Sequence, residues 1–393
     1  MSAPQSTAEI LQALIAFPSV SSNSNLDIVA WIESYLAQQG VVTRRIPDQS
    51  GAKASILATI GPRERPGVIL SAHTDVVPVE GQSWSSPPFV GTRRDDRIVG
   101  RGATDMKGFI ACILAHVPQF KAAATATPVH IALSYDEEVG CLGVPDLIAE
   151  LARLPARPAL CIVGEPTGLA VVNAHKGKVA RRVTIRGRGG HSALPHRAAN
   201  AVIAAARIGA FLDDLAQKCA RDGVRDVAFD PPYTTIHVGS LHGGGALNLV
   251  PDHAVLEFEI RDVPGADMAA LLAAADDYIA AQREVLRAQA PEADITVVDT
   301  LAYPALTPAS DAAVATAQRL AQRTDAAGAV SFGTEAGLYA EAGIATVVCG
   351  PGDIGRAHKA DEWIGLDELA AADGMLQQLA GELGRPAQEW IKA

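Results

Sequence analysis

Val68-Ile69-Leu70-Ser71-Ala72-His73-Thr74-Asp75 decides the fold, because an apolar run stops there on an imidazole and a carboxylate. A short continuous apolar run reads as a strand buried on both faces, the pattern of a parallel sheet. The same grammar recurs at 129–133, ahead of Asp136-Glu137-Glu138, and at 159–163, ahead of Gly164-Glu165-Pro166. In open α/β sheets, ligands gather beyond the carboxyl ends of strands. Three strand ends therefore present metal-competent side chains to one edge. A fourth cluster, Asp105-Met106-Lys107-Gly108, and a late His358 add to them. Two imidazoles and several carboxylates suffice for a two-metal site, which points to metal-assisted hydrolysis.

Working outward, helical spacing predicts helices over 26–39, closed by Gly40, and over 108–121 and 143–151, with Pro118 expected to end or kink the second. Strands alternating with helices predict an α/β domain whose sheet is covered on both faces. Near Val179 the pattern changes. Segments 183–185, 234–239 and 254–260 read as strands, and Val255-Leu256-Glu257-Phe258-Glu259-Ile260 alternates as a sheet with one wet face does. Ala-rich helical stretches at 198–220 and 267–289 accompany them. Strand-like runs at 295–298 and 345–349 then restore the first grammar. The expectation is an α/β domain with a central, mostly parallel sheet flanked by helices, made of residues 1–179 and 294–393, and interrupted by an α+β insert at 180–293.

Length and composition agree with this organisation. A chain of 393 residues exceeds what one core usually fills. Its net charge of −11, with no basic run, argues against nucleic acid as a partner. The start of the chain lacks the charged and apolar stretches of a secretory signal, and no segment has the length to cross a bilayer, so a soluble cytoplasmic protein is expected. Five scattered cysteines, 112, 141, 161, 219 and 349, form no CxxC pair and read as reduced, buried thiols.

Each acidic or imidazole residue has a plainer explanation alone: a hydrogen-bonded histidine at 73, a loop at Gly100-Arg101-Gly102, a solvated acidic turn at Glu137-Glu138, a strand terminus at Glu165. Their joint placement at strand ends outweighs these explanations. Two metals about 3.5 to 4 Å apart can share one carboxylate and one water and lower the water's pKa toward neutrality.

Taken in order, His73-Thr74-Asp75, Gly102-Ala103-Thr104-Asp105-Met106-Lys107-Gly108, Glu137-Glu138, Gly164-Glu165-Pro166-Thr167 and Gly355-Arg356-Ala357-His358 resemble the co-catalytic zinc amidohydrolase family, which includes acetylornithine deacetylase and succinyl-diaminopimelate desuccinylase. The resemblance spans nearly the whole chain. It implies two zinc ions per subunit, with cobalt or manganese as substitutes. Asp105 would bridge them, His73 and Glu165 would complete one coordination sphere, and Glu138 and His358 the other. Asp75 would orient His73. Glu137 would remain unligated as the general base that takes a proton from water and returns it to the departing amine. A metal-binding scaffold without turnover would have no use for that unligated carboxylate.

The insert carries Gly187-Arg188-Gly189-Gly190-His191-Ser192-Ala193-Leu194-Pro195-His196, which from spacing alone reads as a hairpin turn with two exposed histidines. The resemblance implies instead that His191 stabilises the oxyanion in a partner subunit's site. The insert would then be a dimerisation or lid domain, and the protein a homodimer. Gly243-Gly244-Gly245-Ala246-Leu247-Asn248 and Arg261 match the family's substrate-binding segment, and a guanidinium fork suits a carboxylate. Glu335, in Gly333-Thr334-Glu335-Ala336, is either a second carboxylate for a substrate ammonium group or a helix-capping acid. The implied substrate is N-acetyl-L-ornithine, cleaved to ornithine and acetate in arginine biosynthesis. Other N-acyl amino acids, N-succinyl-diaminopimelate and small peptides are the alternatives.

Overall fold

Four parallel strands, in the spatial order Val129–Ser134, Val68–His73, Leu160–Pro166 and Thr346–Gly350, form the middle of an eight-stranded sheet. Ala54–Ile60 and Thr43–Pro47 extend one edge, each antiparallel to its neighbour, and Val172–His175 and Gly328–Val330 extend the other. The computed structural model describes residues 6–391. They fall into two units, Met1–Ala174 with Leu306–Ala329 and Thr334–Ala393, and His175–Ala305 with Val330–Gly333. The first is α/β with a mixed, mostly parallel sheet.

The two faces of that sheet differ. Val68, Leu70 and Ala72, with Val129, Ile131, Leu133, Leu160 and Ile162, join one apolar core under the helices Thr7–Ile15, Leu26–Gln38, Lys107–Ala123, Asp311–Leu320 and Leu366–Glu382. The intervening side chains include Ser71, His73, His130 and Ser134, which are buried as well. Two short helices, Val144–Leu151 and Ala336–Glu341, lie on that second side. Runs that look uniformly apolar thus hide a polar face, and the functional side chains sit there.

Helix Lys107–Ala123 continues through Pro118 rather than ending at it. A proline inside a helix costs about 3 kcal/mol, but Phe109, Ile110, Ile113, Leu114, Val117 and Phe120 are fully buried in the same element. At about 1.5–3 kcal/mol for each such side chain, burial wins.

The second unit has an antiparallel sheet in the order Thr235–Gly243, His253–Arg261, Lys178–Arg186, Asp294–Tyr303. Val183, Ile185, Leu256, Phe258, Ile260 and Ile295 pack on helices Ala201–Asp222 and Met268–Gln289. The expectation that 295–298 resumes the first domain is corrected here. Ile295 is buried and Val297 packs on the core, while Thr296 and Val298 are exposed. This is the alternation of a one-faced sheet, and Asp294–Tyr303 pairs along Lys178–Arg186 accordingly. The unit boundary therefore follows Ala305 instead of residue 293.

All five cysteines are buried and unpaired. Among the described residues, no helix is long and apolar enough to cross a membrane.

Candidate metal centre

The carboxyl ends of the central strands place His73, the Asp136-Glu137-Glu138 turn and Glu165 side by side. Asp105 comes from the turn before helix Lys107–Ala123 and is joined to Met106 by a cis peptide bond, and His358 follows the short turn Ile354–Arg356 with a left-handed backbone (φ 62°). These last two segments are joined by a small sheet in which Trp363–Gly365 pairs with Arg97–Val99. Gly164 has a steric reason to be glycine: a Cβ there would lie 1.8 Å from the Phe109 ring, so its absence lets the helix pack against the strand beside Glu165.

Asp105 is the hub. Its Oδ1 lies 3.1 Å from His73 Nε2 and its Oδ2 lies 3.2 Å from His358 Nε2. Glu165 Oε1 is 3.7 Å from the His73 nitrogen, and Glu138 Oε2 is 3.1 Å from the His358 nitrogen. Each imidazole thus has its own carboxylate and shares a third. Ligand atoms of His73, Asp105 and Glu138, and also of His73, Glu137 and Glu165, lie within 4.8 Å of one another. Glu137 is therefore within ligand distance, and its thiol neighbour Cys141 Sγ donates to its Oε1 at 3.6 Å.

The electrostatics require compensation. Burial pushes Glu165 and Glu137 well above the usual carboxylate range, and nearby Asp105 adds to the effect on both. Burial and Asp105 push Glu138 up to about 7. Burial also acts on Asp105, but hydrogen bonds from His358 and His73 hold it low. Four carboxylates converge with two imidazoles, so their charge is balanced only by protons or by cations. The donor set of imidazole nitrogen and carboxylate oxygen suits zinc, cobalt or manganese, and a pair of divalent ions fits these residues.

Asp75 does more than its expected contact with His73. His73 Nδ1 donates to the Asp75 backbone carbonyl at 2.9 Å, while the Asp75 carboxylate lies 3.6 Å away. That carboxylate accepts the backbone N–H groups of Glu137 at 3.1 Å and Glu138 at 3.3 Å, and the Ser21 hydroxyl at 2.7 Å. Asp136, with φ 53°, is held by Lys53 Nζ at 2.6 Å from Oδ1.

Several supporting residues escaped the sequence reading. Glu362, almost fully buried, accepts the backbone N–H groups of Thr104 at 2.9 Å and Asp105 at 3.1 Å, and Arg101 Nη1 donates to its other oxygen at 2.6 Å. Lys107 is fully buried, donates to the Phe17 carbonyl at 2.7 Å and is pushed down to about 7 by burial. A signal existed in Glu362, an acid four residues beyond His358 and directly before the strand Trp363–Gly365, and in Arg101 within a glycine loop.

Glu335 lies apart from both of its expected positions. It has no exposed surface and does not cap the helix it precedes. Its carboxylate instead accepts Ser71 Oγ at 2.5 Å and Ser134 Oγ at 2.7 Å. Buried behind two strands, it offers no surface to a substrate ammonium group.

His191, Asn248 and Arg261 all belong to the second unit. His191 is exposed on a two-residue strand paired with Leu249, and Ser192 donates its N–H to the Asn248 carbonyl at 3.0 Å. Arg261 ends its strand with Nε donating to Glu259 at 2.8 Å, and Lys178 holds the other oxygen of Glu259 at 2.7 Å.

Fold and residue set together define a metal-dependent hydrolase. A model described as peptidase family M20/M25/M40 matches residues 69–382, and the chain belongs to that family. It is 35% identical to an acetylornithine deacetylase of Myxococcus xanthus over 93% of this chain and 94% of that protein. Two solved structures share the fold. One is an M20 family metallo-carboxypeptidase of Sulfolobus solfataricus, with a TM-score of 0.76 at 19% identity, covering 97% of this chain and 99% of that one. The other is a dinuclear metal binding peptidase of Bacillus subtilis, with a TM-score of 0.64 at 16% identity, covering 95% and 96%.

Proposed function

We propose that this chain is a two-metal amide hydrolase that removes the acyl group from an N-acyl amino acid, with N-acetyl-L-ornithine as substrate and ornithine and acetate as products. The observation that carries the two-metal reading is Asp105, whose opposite oxygens face two different imidazoles at 3.1 and 3.2 Å. Identity to a named acetylornithine deacetylase supports the substrate, and ornithine formed this way would serve arginine synthesis.

Two zinc ions, or cobalt or manganese in their place, would be held by His73, Asp105, Glu165, Glu138 and His358 and would supply an acidified water and a Lewis acid for the carbonyl. Glu137 accepts the proton of the attacking water and delivers it to the departing amine nitrogen. Burial raises its affinity for that proton, which suits a group that takes it up and gives it back near neutrality. Asp75 fixes the base through the Glu137 N–H. His191 donates to the carbonyl oxygen as negative charge develops there, reaching the site from the second subunit of a homodimer. Asn248 and Arg261 hold the substrate carboxylate, the guanidinium through paired N–H groups.

The test is amine release by the zinc- or cobalt-loaded protein across N-acetylornithine, N-succinyl-diaminopimelate, other N-acyl amino acids and dipeptides. Fastest turnover of N-acetylornithine is expected. A higher kcat/KM for a dipeptide or the succinylated substrate would replace the substrate assignment, and no release from any of them would end the hydrolase reading.

A further inference from the structure

Glu335 is a carboxylate sealed in the protein, and among the described residues no lysine, arginine or histidine forms an ion pair with it. Its Oε1 accepts the hydroxyl of Ser71 and its Oε2 that of Ser134. The Tyr339 hydroxyl, one turn along the helix that Glu335 precedes, lies 2.8 Å from Ser71 Oγ. A serine hydroxyl has a single hydrogen; with that of Ser71 directed to Glu335, Tyr339 supplies the hydrogen of the second contact. All four residues are buried.

The two serines occupy informative positions. Ser71 precedes His73 by two residues in Val68–His73, so both point to the same face of the sheet. Ser134 is the register partner of His73 on the adjacent parallel strand. It closes that strand, directly before Tyr135 and the Asp136-Glu137-Glu138 turn. The Ser134 backbone carbonyl also accepts the Thr74 N–H at 2.9 Å and the Thr74 hydroxyl at 2.8 Å. One carboxylate thus holds the strand two residues before His73 and the last residue of the strand that leads into Glu137 and Glu138.

A bare carboxylate is an expensive tie to bury, since an ionised group loses its hydration unless hydrogen bonds replace it. Leu or Val would join two strands more simply, as Val129, Ile131 and Leu133 do on the opposite face. What a bidentate acceptor adds is geometry. Two short hydrogen bonds from different strands to one rigid plane fix their relative advance at the edge where a small shift would separate ligands.

We propose that Glu335 is a positioning residue of the metal centre, clamping the strand that carries His73 to the strand that carries Glu137 and Glu138 through the hydroxyls of Ser71 and Ser134. The proposal rests on the reading of His73 and Glu138 as metal ligands. It takes Glu335 out of the substrate pocket and makes its influence on substrate indirect.

The test compares wild type, Glu335→Asp, Glu335→Gln and Ser134→Ala as full-length protein stripped of metal. Each is titrated with cobalt in competition with a chromophoric chelator, and the visible spectrum of the bound cobalt is recorded beside thermal unfolding of the metal-free form. Aspartate is one methylene too short to reach both hydroxyls, whereas glutamine keeps the length and one acceptor. Cobalt affinity is expected to fall about tenfold in Glu335→Asp and Ser134→Ala, the lower end of the effect of removing groups that orient metal ligands. Their cobalt bands should shift, and Glu335→Gln should recover part of both losses. In kinetics, kcat should fall with KM nearly unchanged. Wild-type affinity and spectrum in both Glu335→Asp and Ser134→Ala, with only the melting temperature lowered, would reduce Glu335 to a packing residue and overturn the proposal. If those variants fail to fold, Ser71→Ala removes the other donor and leaves Glu335 and Ser134 in place. Cobalt affinity and spectrum identical to wild type would then overturn it equally. Failure of the wild-type protein to bind cobalt would instead defeat the metal reading itself, and this proposal with it.

Discussion

The Asp75 carboxylate accepts the backbone N–H of Glu137 at 3.1 Å while the Asp75 carbonyl receives Nδ1 of His73 at 2.9 Å. One residue therefore ties the orientation of an imidazole to the position of the acid beside it. Asp75→Asn keeps the backbone contact with His73 but turns one acceptor into a donor facing an amide N–H or the Ser21 hydroxyl. A loss of about 10- to 100-fold in metal affinity or activity is expected, measured by chelator competition and by kcat/KM. Wild-type values in both would remove Asp75 from the machinery.

Glu137→Gln separates a base from a ligand. The carboxylate lies in one cluster with His73 and Glu165, so both functions are geometrically open to it. As a base, its amide variant keeps two metal equivalents and loses about 10²- to 10⁴-fold in kcat. Elemental analysis beside turnover decides the matter, and loss of a metal equivalent would make Glu137 a ligand.

The pH dependence of metal stabilisation follows from proton counting. In the metal-free protein, burial raises Glu138 to about 7, and hydrogen bonds with Asp105 and Glu138 raise His358 to about 10. The unfolded chain releases these protons near the ordinary values of 4.5 and 6.5. The folded state therefore binds more protons between those limits, and its stability falls as pH rises through that window. Cations displace the same protons. The rise in melting temperature on adding zinc is expected to be larger at about pH 8 than at about pH 6, and a constant or shrinking rise would contradict the assignment.

Arg101 and Glu362 form a buried ion pair at 2.6 Å with both side chains almost wholly enclosed. Glu362→Ala leaves the guanidinium uncompensated and removes the acceptor of two backbone N–H groups, a loss of about 3–5 kcal/mol. Urea unfolding should show it as a lower midpoint at unchanged slope. A change within about 0.5 kcal/mol, the range of ordinary surface substitutions, would show that the pair is not structural.

His191→Ala probes the second unit. His191 is exposed and, among the described residues, its Nδ1 accepts only a local N–H, from Ala193 at 3.1 Å, so folding and metal content should be unchanged. Loss of an oxyanion donor lowers kcat by about 10²- to 10³-fold. Unaltered kcat would exclude His191 from the reaction.

The α/β class and the strands ending at His73, Ser134 and Pro166 were legible because each apolar run stops on polar residues that cannot continue it. Three things were not. Ser71 and Ser134 look like lapses in apolar runs until register places them on one face with His73. Arg101 and Glu362 are 261 positions apart, and local pattern carries no information about such a pairing. Residues 295–298 are too short a run to show which sheet they join, and only the longer alternation along Asp294–Tyr303 settles it.

His358 reaches the Asp105 side chain and Glu362 its backbone, so one short segment near the end of the chain grips a single residue from two sides. A disturbance of that segment reaches the hub twice, through its carboxylate and through its amide, so a change at Glu362 is felt 257 positions earlier in the sequence.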